Sequence, residues 1–102
     1  VGVPKDSATA ISLYRKAAAQ GYIKSQIRLG MIYENGIGAA QDYETAAKWY
    51  RAAADLGDSY AQNKLGFMHE SGRGLPIDPY KAVYWFRKAA EQGNFDAQTG
   101  LG

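Results

Sequence analysis

The sequence has no cysteine, a single histidine and only three prolines. Without thiols there can be no disulfide framework, thiolate zinc site or cysteine nucleophile, and the absence fits a reducing as well as an oxidising compartment. Charge of one sign is also missing: 12 Lys plus Arg against 10 Asp plus Glu leaves a net +2. Phosphate-backbone binding needs a clustered basic excess, so nucleic acid is not an expected partner. No apolar run reaches the roughly 18 residues of a membrane span, so direct membrane insertion is not expected either. The opening Val1-Gly2-Val3-Pro4 has no initiator methionine and no signal-peptide pattern, as in an excised or processed segment.

Catalytic patterns are equally scarce. Glu70 follows the lone His69, but a zincin pair needs a second histidine four positions on, where Arg73 stands. Gly36-x-Gly38 and Gly72-x-Gly74 lack the third glycine of a dinucleotide fingerprint, and no Gly-Lys-Ser/Thr forms a phosphate loop. No serine has a lysine three residues later, as a serine-lysine nucleophile requires. Neither an enzyme nor a bound cofactor or metal is expected.

What the chain has in plenty is glycine, 12 residues, in a periodic arrangement. Gly21, Gly57 and Gly93 are evenly spaced, as are Gly30, Gly66 and Gly102, and Asp6, Asp42 and Asp78, at a period of about 36 residues. Shifted by that period, the chain matches itself at roughly two positions in five without a gap. Within a unit, Ala46, Trp49, Tyr50, Ala53 and Ala54 form the i, i+3, i+4, i+7, i+8 stripe of an amphipathic helix, here the B helix. The stripe recurs as Ala10, Leu13, Tyr14, Ala17, Ala18 and as Ala82, Trp85, Phe86, Ala89, Ala90. Each copy follows an Asp suited to cap first-turn amides, and Pro79 suits a first helical position. Each ends at Gly21, Gly57 or Gly93, where a left-handed C-terminal cap is expected. A second pattern, the A helix, carries Ser25, Leu29, Gly30 and Tyr33, then Ala61, Leu65, Gly66 and His69. Neither helix can bury its stripe alone, so the units must stack into an all-α solenoid with a shared core.

These residues together, Ala61-x-x-x-Leu65-Gly66-x-x-His69-x-x-Gly72-x-Gly74 and then Asp78-x-x-x-Ala82-x-x-Trp85-Phe86-Arg87-Lys88-Ala89-Ala90-Glu91-Gln92-Gly93, resemble the Sel1-like repeat, a relative of the tetratricopeptide repeat. The likeness spans essentially the whole chain. Departures are Leu13 in place of Trp, Ser25 in place of Ala, His69 where the family usually has Tyr, and Ala39-Ala40 in the loop. The resemblance implies a right-handed α/α superhelix of about three helix-turn-helix repeats. Residues 1–102 form one array, with units near 1–21 (partial), 22–57, 58–93 and 94–102 (partial). It also implies a protein-binding scaffold or adaptor, of a kind many bacteria use in periplasmic, secreted or regulatory roles. Helices in the order B, A, B, A, B are expected, then a partial A helix from Asn94. Further repeats are expected to flank the chain, and its uncapped ends could drive self-association.

By similarity to tetratricopeptide arrays the A helices line a concave wall. With Leu29, Gly30 and Tyr33 assigned to packing, the stripe left on the first A helix is Lys24, Ile27, Met31 and Glu34, and on the second Tyr60, Asn63, Phe67 and Glu70. Each set is spaced i, i+3, i+7, i+10 along one helical face. A protein or peptide ligand held there would use Ile27, Met31, Tyr60 and Phe67 as anchors, with Lys24, Glu34 and Glu70 steering. The alternative assigns Ile27, Met31 and Phe67 to packing between A helices. Trp49, Trp85 and His69 are read as core residues, and Tyr43, Tyr80 and Tyr84 as surface residues. Arg15, Arg51 and Arg87 recur at one B-helix position, either as solvated helix charges or as a basic ladder for an acidic partner. Two other function classes stay open: a regulatory or targeting module of a larger protein, and recognition of a glycan or small ligand with Tyr60 and Phe67 as stacking platforms.

Overall fold

The computed structural model describes residues 5–92, with side chains from Ser7 onward. Five helices follow one another: α1 (Lys5–Ala19), α2 (Ile23–Asn35), α3 (Tyr43–Asp55), α4 (Ser59–Ser71) and α5 (Pro79–Glu91), with no strand among the described residues. α1, α3 and α5 are the B helices; α2 and α4 are the A helices. Each helix packs on its chain neighbours, and the body measures 43 × 24 × 20 Å. The cap expected at Gly93 and the helix expected from Asn94 lie outside the described residues.

The periodicity seen in the glycines reappears as repeated hydrogen bonds. Gly21 N and Gly57 N donate to Ala18 O and Ala54 O, while Tyr22 N and Asp58 N donate to Ala17 O and Ala53 O. These paired hydrogen bonds reverse the chain after α1 and α3, with φ of +90° at Gly21 and +97° at Gly57. After each A helix, Gly36 N and Gly72 N donate to Ile32 O and Met68 O at 2.8 Å. Buried Gln26 and Gln62 lock the next element down: their Nε2 atoms donate to Ala18 O and Ala54 O at 3.1 and 3.2 Å. A glutamine near the start of each A helix thus gives a second donor to a carbonyl at the end of the preceding B helix, which already accepts from the turn glycine.

Helix starts are less uniform. Asp42 accepts from Thr45 N and Thr45 Oγ1, bonds that hold its carboxyl below the usual carboxylate range, and Asp78 accepts from Tyr80 N and Lys81 N ahead of Pro79. Asp6, expected ahead of the first B helix, falls inside α1, which already includes Lys5. The capping role appears instead at Asp58, which accepts from Ala61 N at 2.9 Å and opens an A helix, whereas Tyr22 opens α2 with no side-chain bond. Asp58→Ala should therefore lower stability by about 1 kcal/mol. Urea titration checks this as a shift in midpoint at constant slope.

Core packing rests on two aromatic rings set over two helical glycines. Tyr50 of α3 lies on Gly30 of α2, and Phe86 of α5 lies on Gly66 of α4. A Cβ at Gly30 would stand 2.7 Å from Tyr50 Cε1, and one at Gly66 would stand 2.6 Å from Phe86 Cε1. Helix-interior glycine costs about 1 kcal/mol relative to alanine, and the close ring contact offsets it. Leu29, Leu65 and Tyr50 are fully buried, and the B-helix alanines Ala46, Ala53, Ala54 and Ala89 let neighbouring helices approach.

Candidate functional site

The wall made by the A helices is best read by comparing its two copies. On α4 one row of side chains that reach solvent is Tyr60, Lys64, Phe67 and Ser71, spaced i, i+4, i+7, i+11; on α2 the counterparts are Lys24, Arg28, Met31 and Asn35. Of the residues expected on this face, Lys24, Tyr60, Phe67 and Glu70 are exposed, and Met31 and Glu34 are half-buried. Asn63 is a correction. It is 4% exposed and turned into the core, with no hydrogen-bond partner at its Oδ1 among the described residues. Ile27, at the equivalent position in the preceding unit, is half-buried against the core. Arg28 and Lys64 were missed because the i, i+3, i+7, i+10 ladder runs about half a residue to one side of the true midline of the face.

Tyr60 and Phe67 stand two turns apart on α4, each steadied from behind by a buried ring. Tyr60 meets Tyr50 edge-on, with centroids 6.4 Å apart and planes at 64°, and Phe67 meets Phe86 at 4.9 Å and 73°. Their outer parts remain open, at 39% and 40% exposure. Edge-to-face packing holds such rings in one rotamer, so less side-chain entropy is lost when a partner covers them.

Glu34 joins the two A helices. Tyr50 donates its hydroxyl to Glu34 Oε1 at 2.7 Å, Lys64 Nζ lies 2.6 Å from Glu34 Oε2, and Lys64 also sits 5.7 Å from the Tyr50 ring centroid. Burial, then the Glu34 hydrogen bond and charge, pushes the Tyr50 hydroxyl well above the ordinary tyrosine range. Glu34 is therefore a structural tie as well as a wall residue. The next unit does not repeat it: Phe86 has no hydroxyl, and Glu70 has no ion-pair partner among the described residues.

On the opposite side, Trp85 is buried, Trp49 is half-buried against the core, and His69 is buried, as expected of core residues. Tyr80 and Tyr84 are exposed, while Tyr43 is half-buried beneath the Arg73 guanidinium. Arg15 and Arg51 do not stand as free helix charges. Each lies over an aromatic ring of the neighbouring unit, Tyr33 and Trp85.

The Sel1 repeat family model matches residues 1–22, 23–58 and 59–94, three consecutive copies that take in nearly all of the chain. The chain belongs to the Sel1 repeat family. Sel1 repeat proteins are in general non-catalytic scaffolds for protein interaction, and this member shares their α/α solenoid. It is 45% identical to c5321, a protective antigen of uropathogenic Escherichia coli strains with an SLR fold, over 92% of this chain and 20% of that one, with TM-score 0.87. A Sel1 repeat protein from Oxalobacter formigenes is 42% identical over 81% of this chain and 63% of its own, with TM-score 0.78. Helicobacter pylori cysteine rich protein B is 29% identical over 93% of this chain and 71% of its own, with TM-score 0.85. The chain thus spans about a fifth of the first of these proteins and under two thirds of the second. No curated protein shows a significant match. The Helicobacter relative is named for cysteines, whereas this Sel1 array has none and holds its units by packing, hydrogen bonds and the Glu34–Lys64 ion pair.

Proposed function

We propose that this Sel1 array is a protein-interaction scaffold whose A-helix wall holds an extended segment of a partner protein. The observation that carries the reading is the pair Tyr60 and Phe67: two half-open aromatic rings on one helical face, each pre-ordered by a buried ring. Aromatic side chains in such settings supply most of the energy in protein interfaces. Lys24 and Arg28 add positive charge at the α2 end and Glu70 adds negative charge at the far end of α4. A ligand with acidic residues toward Lys24 and Arg28 and an apolar stretch over Met31, Tyr60 and Phe67 complements this face.

The test is a selection of peptides from a random display library on the wild-type chain, followed by affinity measurement on variants. Tyr60→Ala with Phe67→Ala should weaken the selected peptides by at least about thirtyfold, as expected for loss of an aromatic hot spot. Arg28→Glu should weaken acidic peptides mainly at low salt. Retention of binding by the double variant would reject the wall as the site. A collapse in melting temperature would assign the two rings to the core instead.

A further inference from the structure

Position 69 distinguishes the two junctions between units. In the first junction Tyr33 is buried under Arg15, whose guanidinium lies 5.8 Å from the ring centroid and donates to the phenol oxygen. In the second, His69 takes that place with a shorter side chain, and its Nδ1 lies 3.0 Å from Pro76 O. A carbonyl oxygen can only accept, so Nδ1 carries a proton, and in the neutral imidazole Nε2 is left as a hydrogen-bond acceptor. No described residue donates to it. Arg51, the counterpart of Arg15, has no phenol to bind; it pairs in the open with Asp55 at 2.9 Å and lies 5.2 Å from the Trp85 ring centroid.

Beside His69 there is a cavity of about 330 Å³ between α3, α4 and α5. Ala47, Leu65, Leu75 and Trp85 give it apolar walls, His69 lines it, and Lys48 and Arg51 stand beside Glu44 around it. Its size falls at the lower end of the roughly 300–1,000 Å³ typical of ligand pockets. An apolar chamber edged by an imidazole and two cations matches a particular ligand chemistry. At the equivalent positions the first junction carries larger buried side chains, Ile11 for Ala47 and Tyr33 for His69.

We infer that this cavity is a second binding site, separate from the A-helix wall, for a tyrosine side chain of a partner polypeptide flanked by carboxylates. The ring stacks within Leu65, Leu75 and Trp85, the phenol donates to His69 Nε2, and the carboxylates meet Arg51 and Lys48. Exposed ion pairs such as Arg51–Asp55 contribute little, so exchanging Asp55 for a ligand carboxylate is not opposed by a strong bond.

The experiment titrates the chain with a blocked glutamate-tyrosine-glutamate peptide while recording NMR shifts of the His69 ring and the Trp85 indole. Both are expected to move and saturate. The phenylalanine analogue should bind about tenfold more weakly, because it leaves the acceptor unsatisfied. The glutamine-flanked analogue should also be weaker, with a difference that shrinks at high salt. His69→Tyr should fold at least as well as wild type, since Tyr33 occupies the equivalent position, and should lose binding because the cavity is filled. Arg28→Glu, on the other wall, should bind normally, so failure here is distinguishable from failure of the A-helix reading. The inference is overturned by absence of saturable shifts, by equal binding of the tyrosine and phenylalanine peptides, or by undiminished binding in folded His69→Tyr. Tighter binding of free N-acetyltyrosine than of the peptide would overturn the polypeptide source.

Discussion

Tyr50→Ala is expected to lower the unfolding free energy by about 4 kcal/mol, the range for deleting a buried aromatic side chain. That is a large part of the 5–15 kcal/mol that holds an ordinary domain folded. The ring is fully buried, lies on Gly30 too closely for any Cβ to intervene, and carries the hydroxyl that Glu34 accepts. Tyr50→Phe keeps the ring, and Phe86 occupies the same place in the next unit without strain. It should lose only the bond to a charged acceptor, about 1.5 kcal/mol. The pair also differs with pH. The Tyr50 hydroxyl is raised above its ordinary value of 10.0 in the fold, first by burial and then by Glu34. The unfolded chain therefore releases this proton near pH 10 while the folded chain retains it, so the contribution is complete below that pH and declines above it. Urea titrations at pH 8 and pH 11 should show wild type losing more stability than Tyr50→Phe; equal losses would contradict the assignment.

Gly74→Ala should cost about 3 kcal/mol or more, whereas Gly21→Ala should cost about 1–2 kcal/mol. Both glycines have left-handed backbones, φ +75° and +90°, so both share the penalty that a Cβ meets there. Around Gly21 nothing lies within 4 Å. At Gly74 an added Cβ would overlap the Tyr43 carbonyl, lying 2.6 Å from its carbon. Backbone cannot swing aside as a side chain can, so the start of α3 must move away from the α4–α5 loop. Melting curves of the two variants measure the difference directly, and similar losses would show that the loop crosses α3 with room to spare.

Repeat length, helix order and the glycine turns were legible in the sequence because each depends on local rules: a 3.6-residue stripe, a positive-φ cap, a short connection. The rings over Gly30 and Gly66 were legible only as a need for small residues; which aromatic group fills each gap depends on the neighbouring helix. The wall was harder. Asn63 and Lys64 are adjacent in sequence, and both lie near the edge of one helical face. Burial of Asn63 follows from where the neighbouring helices lie, a tertiary fact without a local signature. His69 was correctly read as a core residue, but its smaller volume became informative only beside Tyr33, once Arg15 and Arg51 could be seen in equivalent positions. Gln26 and Gln62 carried a signal that went unused: they recur at the repeat period, and a buried amide that repeats is tied to a repeating acceptor.

The Glu34 tie spans one junction and is missing from the next, and this gives the array an asymmetry. An ion pair and a hydroxyl clamp the first bend of the spring, whereas the second is held by the Phe67–Phe86 ring contact and the Gln92–Gln62 amide bond. The two bends of the array therefore differ in chemistry, the first set by charge and the second by ring and amide contact.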